Sequence, residues 1–222
     1  MKAILVLLLS AWISFAAPAN AQSKVVIEQN GTPMTAMVMG EGTHALILVH
    51  GSHFLRGEYF FHEYGSHIGA SLAKAGFRVI APYWAYESNR SSDGVASTAA
   101  ALAYALANGA KKVSLIGMSL GGEVTAGFAQ SQADGTFDTV IEISSVNDRG
   151  YALPKTKKLL VLLSGDKYAV WQPKVFDEST EPKQILKIEG YGHAIRDLTA
   201  KQPDLVERLV EVLRKADDDR SK

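Results

Sequence analysis

The chain of 222 residues carries 23 basic and 23 acidic side chains and no cysteine. A balanced charge without a basic stripe argues against binding to a nucleic-acid phosphate backbone. The missing thiols remove disulfides, thiolate metal sites and cysteine nucleophiles in one step, and an exported chain of this kind fits the periplasm and the external medium equally.

Lys2, an unbroken apolar run from Ala3 to Leu9 and the closing Ala19-Asn20-Ala21 predict a secretory signal peptide cleaved after Ala21. The alternative is a membrane anchor. Ser10 and Ser14 interrupt the apolar stretch, which falls short of the ~20 residues a spanning helix needs. No stable anchor is therefore expected. Residues 22–222 retain 22 basic and 23 acidic groups, and a chain of that size buries roughly 70% of its unfolded surface around one core. A single domain is predicted.

Lys24 to Gln29 and Thr35 to Met39 flank Asn30-Gly31, a hairpin signal that Pro33 loosens. His44 to Val49 is apolar without alternation, as in a strand covered on both faces, and ends in His50-Gly51-Ser52-His53. Ile68, Leu72 and Ala75 recur at helical spacing within a helix read over His62 to Lys74, and Gly76 stops it. Phe77 to Ala81 reads as a buried strand leading to Tyr83, Trp84 and Tyr86. Asp93 is the expected cap of an alanine-rich helix from Val95 to Asn108, closed by Gly109.

A short β-branched and apolar run beginning at Val113 then reads as a strand, and a helical pattern resumes at Val124, Thr125, Ala126 and Phe128. Between them lies Gly117-Met118-Ser119-Leu120-Gly121. A serine at such a strand-turn-helix tip sits in strained backbone with its hydroxyl clear of the main chain, which makes Ser119 the candidate nucleophile. The pentapeptide alone is weak evidence, because the Gly and Ser content gives roughly 0.13 accidental matches in a chain this long. Context has to decide.

Thr139 to Val146 and Lys158 to Ser164 are the next strands, about a dozen residues apart, too close for a helical cap domain between them. Gln184 to Ile188 is the last strand before Glu189-Gly190-Tyr191-Gly192-His193. A closing helix begins at Pro203 with an apolar stripe of Leu205, Val206, Leu209, Val210 and Leu213, and Asp217 to Lys222 reads as a frayed end. Strands alternating with helices after an opening hairpin predict a mostly parallel sheet covered on both faces, an α/β fold. Sites in such sheets gather at the carboxyl ends of strands. Ser52, Trp84, Ser119, Asp166 and His193 all follow predicted strands.

On three elements in order, the His50-Gly51 turn, the Gly117-x-Ser119-x-Gly121 elbow and Gly192-His193 after the last strand, the chain resembles the α/β-hydrolase superfamily over nearly its whole length from residue 22. The resemblance implies an α/β-hydrolase fold without a cap domain. It further implies His193 as the general base that takes the Ser119 proton and Asp166, after Ser164-Gly165, as the carboxylate that fixes the imidazole tautomer. One departure stands: the family's usual spacing puts that acid about two residues later, at Tyr168. Asp148, Asp177 and Glu178 are the other candidates. For the oxyanion, the resemblance implies the backbone N–H groups of Leu120 and Ser52, with His53 as the alternative second donor.

His50, His53, His62 and His67 cluster in sequence, but no acidic pair stands at ligand spacing, so no metal and no cofactor is expected. His50 is expected to pack under the oxyanion loop. Phe54, Tyr59, Tyr83, Trp84 and Tyr86 are candidates to wall a substrate pocket, with His53 beside them, or else plain core aromatics. The predicted activity is that of an exported serine hydrolase acting on small carboxylic esters. A peptidase, lipase or polyester hydrolase with the same triad is the second reading, and a non-catalytic binding protein on the same scaffold is a third, from another class. Nothing in the sequence sets the oligomeric state.

Overall fold

The structure, a computed structural model, describes residues 22–51, 68–84, 91–146, 153, 155–163, 165–167, 171–188, 193 and 204–218. The hairpin opens it. β1 (Gln22–Gln29) and β2 (Thr32–Met39) pair antiparallel along their full lengths, and Asn30 and Gly31 both take positive φ, 48° and 78°, as a two-residue turn between right-twisted strands requires. Pro33 does not loosen the turn, since it sits within β2 opposite Glu28. The strand on the other side of β2 reaches only Ala36–Met39, so the ladder there loses nothing to the missing N–H.

β3 (His44–Val49), β4 (Arg78–Pro82), β5 (Lys112–Met118), β6 (Thr139–Ile143), β7 (Lys157–Leu163) and β8 (Lys183–Ile188) complete an eight-stranded sheet in the order β1-β2-β4-β3-β5-β6-β7-β8. Pairing is antiparallel for β1 with β2 and for β2 with β4, and parallel from β4 through β8.

Side chains alternate across a strand, so the continuous apolar runs feed two cores. Leu46, Leu48, Ile116, Met118, Ile141 and Ile143 face one side, where they meet Leu72 of α1 (Ala70–Lys74) and Leu205, Leu209 and Leu213 of α5 (Leu205–Asp218). Ala45, Ile47, Val49, Leu115 and Val140 face the other. There they pack against Ala101 and Ala105 of α2 (Ser91–Ala107) and Val124 and Phe128 of α3 (Leu120–Gln130).

Three expectations change. α2 begins at Ser91, so Asp93 lies in its first turn, where a negative charge suits the helix dipole, rather than at its cap. β6 stops at Ile143 instead of Val146, because Ser144 turns to φ 50° and the Val146 N–H leaves the ladder to donate to the Ser119 carbonyl at 3.2 Å. α5 runs through Asp217 and Asp218, which were read as a frayed end. A further short helix, α4 (Gln172–Glu178), was not anticipated. The expected leader, residues 1–21, lies outside the described residues, as do 62–67 of the predicted helix before β4. Among the described residues no helix is long and apolar enough to cross a membrane.

Candidate active site

The carboxyl ends of the parallel strands supply the polar residues of one edge of the sheet. β5 delivers Ser119 at a sharp turn, φ 55° and ψ −124°, immediately before α3. Few side chains tolerate that conformation. It holds because the turn is bonded on both sides: the Ser119 N–H donates to the Ile143 carbonyl at 3.0 Å, and its carbonyl accepts from Gly122 and Val146 at 2.9 and 3.2 Å. The flanking glycines are required by close approach. A Cβ at Gly121 would run into the carbonyl oxygens of Val49 and His50, and one at Gly117 into the Gly121 carbonyl and the Thr125 hydroxyl. The His50-Gly51 turn reaches the same spot, since a Cβ on Gly51 would stand 2.8 Å from that of Ser119.

Ser119 Oγ lies 2.7 Å from His193 Nε2, and Asp166 Oδ2 lies 2.9 Å from the opposite ring nitrogen, Nδ1. The carboxylate can only accept, so Nδ1 carries the hydrogen and Nε2 faces the serine hydroxyl as an acceptor. The Asp166 side chain is fully buried, the imidazole one-quarter exposed. The two-residue offset of Asp166 from the family's usual spacing therefore does not keep it from the ring. Of the other acids, Glu178 sits on α4 beside Lys174 at 3.8 Å, Asp177 is on the same helix, and Asp148 lies outside the described residues.

Leu120 is the first residue of α3, and an N–H in that position has no acceptor within its helix, which leaves it available to an anion above Ser119. Ser52 and His53, the two candidates for the second oxyanion donor, lie outside the described residues. His50 is buried and accepts the backbone N–H of Trp84 on Nε2 at 3.3 Å, while its Nδ1 lies 2.9 Å from the Gly51 carbonyl. Its ring stacks on Trp84 with centroids 4.9 Å apart and more loosely on Tyr83 at 6.0 Å. Trp84, considered above for a pocket wall, is 2% exposed and packs with the core on the α2 and α3 side. Tyr83 is half-buried. Phe54, Tyr59, His62, His67 and Tyr86 fall outside the described residues, and among the described ones no three side chains are grouped to hold a metal ion.

Two groups that sequence reasoning passed over lie next to this edge. Ser144 Oγ is 3.1 Å from His193 Nδ1. Glu142, conspicuous as an acid in the run Thr139-Val140-Ile141-Glu142-Ile143, is buried, and among the described residues neither carboxyl oxygen has a well-formed hydrogen bond. Burial pushes its carboxyl up to about 7, with only partial relief from the neighbouring Ser145 hydroxyl.

An eight-stranded, mostly parallel sheet with an antiparallel opening, helices on both faces and a serine elbow after β5 is a recognisable architecture. The chain has the α/β-hydrolase fold. A carboxylesterase cloned from a metagenomic library superposes with a TM-score of 0.72 at 14% identity, over 91% of this chain and 91% of its own. A predicted CIB-like hydrolase from Thermoplasma acidophilum gives 0.68 at 20% identity, over 88% and 99%. An arylesterase gives 0.71 at 12% identity, over 90% and 85%. The sequence matches no protein-family model and no curated protein.

Proposed function

We propose that the protein is a serine hydrolase that cleaves carboxylic esters through an acyl-enzyme. The observation that carries this reading is the unbroken line from Ser119 Oγ through both nitrogens of His193 to Asp166 Oδ2, with contacts of 2.7 and 2.9 Å. In this reading Ser119 Oγ attacks the ester carbonyl carbon while its proton passes to His193 Nε2. The carbonyl oxygen becomes an oxyanion, met by the Leu120 N–H and by that of Ser52 or His53. One such donor is worth about 2.7 to 4 kcal/mol. The carbon–oxygen bond to the alcohol then breaks, and Nε2 returns the proton to the departing alkoxide. Water attacks the acyl-serine, gives its proton to Nε2, and the acid leaves as Ser119 regains its hydrogen. Asp166 holds the tautomer and stabilises the imidazolium throughout.

The short stretch between β6 and β7, too short for a helical cap domain, and solved structures of the same fold that are described as esterases support esters over amides. Peptidase, lipase or polyester activity would use the same groups. The spacing of Asp166 is the one hint of a non-catalytic scaffold, and its contact of 2.9 Å to His193 supports the catalytic reading instead. Short-chain nitrophenyl esters, aminoacyl amides and long-chain lipids assayed in parallel discriminate the substrates. Ser119→Ala should fold and lose turnover on the preferred class; retained turnover would take Ser119 out of the mechanism. We also propose that the protein is exported and acts as one domain from residue 22 onward, which N-terminal sequencing of the secreted chain tests: a start at Gln22 supports it, and retention of Met1 contradicts it.

A further inference from the structure

Ser144 is fully buried at the end of β6, and its backbone is in the left-handed region at φ 50°. Its N–H continues the ladder to the Val161 carbonyl at 3.1 Å, so the strand geometry persists up to this residue and breaks at it. A glycine would take such a φ without the crowding a Cβ brings, and this position carries serine all the same. Its hydroxyl has one hydrogen-bonding contact among the described residues, 3.1 Å to His193 Nδ1. That nitrogen is the one already 2.9 Å from Asp166 Oδ2.

We infer that Ser144 is a positioning residue that shares the His193 Nδ1–H with Asp166, a second acceptor that holds the imidazole in plane between the carboxylate and Ser119. The inference rests on the serine-hydrolase reading above. One hydrogen between two oxygens makes a three-centre bond, which resists rotation of the ring about its Cβ–Cγ bond better than a single acceptor does. The ring needs that support, since its side chain is one-quarter exposed rather than held by packing on all sides. Strain at a residue that only glycine adopts freely is then retained because the hydroxyl is used.

The test compares wild type with Ser144→Gly and Ser144→Ala. Glycine relieves the backbone, so Ser144→Gly should melt at a higher temperature than wild type and yet lose about 3- to 10-fold in kcat with KM unchanged, as expected for loss of an orienting contact. Ser144→Ala should show the same kinetic loss without the gain in melting temperature. Groups that act on one nitrogen are not independent. Added to Asp166→Ala, which leaves Ser144 to hold Nδ1–H without the carboxylate, the glycine substitution should therefore cost more than it does in the wild-type background.

Imidazole NMR on 15N-histidine-labelled protein supplies a readout that needs no turnover: the His193 Nδ1–H resonance, assigned by its loss in His193→Gln, should move upfield or broaden in both Ser144 variants. An unmoved resonance overturns the inference, as does a Ser144→Gly protein that is equally active or a penalty in the Asp166→Ala background no larger than in the wild-type one. If the wild type turns over no ester and Ser119 takes no fluorophosphonate, the hydrolase reading fails, while the resonance still decides whether Ser144 holds the ring.

Discussion

Replacing Glu142 with Gln removes a charge that the fold holds at a disadvantage, and the size of the effect follows from its carboxyl standing at about 7 against an ordinary 4.5. At 1.36 kcal/mol per pH unit, that difference is worth about 3 kcal/mol. The folded state binds the proton more tightly than the unfolded one. Stability from this group is therefore fully present below pH 4.5, falls as pH rises, and is gone above about pH 7, where the fold must bury an ionised carboxylate. Glutamine has the same shape and no charge, so the wild type should lose stability relative to Glu142→Gln across that interval. In a chain this long, 3 kcal/mol corresponds to about 6 to 12 °C in melting temperature. Denaturant unfolding of both proteins at pH 4.5, 5.5, 6.5 and 7.5 measures it. A stability difference between the two that stays flat across the series would refute the reasoning, whatever the absolute values.

Asp166→Asn should lower kcat by about 10⁴-fold, since an amide that donates to Nδ1 selects the wrong tautomer, while Glu178→Gln on α4 should leave kcat within twofold. Steady-state kinetics on one ester tests both, and equal losses would mean that Asp166 is not the partner of His193. Gly121→Ala should destabilise by at least ~3 kcal/mol, because the new methyl group meets the Val49 and His50 carbonyl oxygens, which the sheet fixes in place. A melting temperature within 2 °C of wild type would contradict that packing.

The parts of the fold that could be read from the sequence are those with strong local signatures. Asn30-Gly31 marks a turn that needs two positive φ angles, and the unbroken apolar run from His44 to Val49 marks a strand with helices on both sides. The elbow was legible for the same reason, as Gly117 and Gly121 are dictated by close backbone approach. α4 escaped because seven residues hold no complete apolar stripe; Pro173 in its first turn was the one available sign. The role of Ser144 was invisible, since a serine at a strand end looks like any other, and its contact is with a histidine 49 positions away. Trp84 was ambiguous for a related reason: an aromatic just past a strand can face the cleft or the core, and stacking on His50 chose the core. Asp166 was legible as a candidate only, because the carboxylate that meets His193 is selected by tertiary geometry.

The central claim is that Ser119 is a nucleophile activated by His193, and covalent trapping tests it most directly. After brief exposure to a fluorophosphonate, peptide mass mapping should find a single phosphonyl adduct on Ser119, absent in Ser119→Ala and formed at least ~10³-fold more slowly in His193→Ala. No adduct, or one at the same rate without His193, would contradict the account.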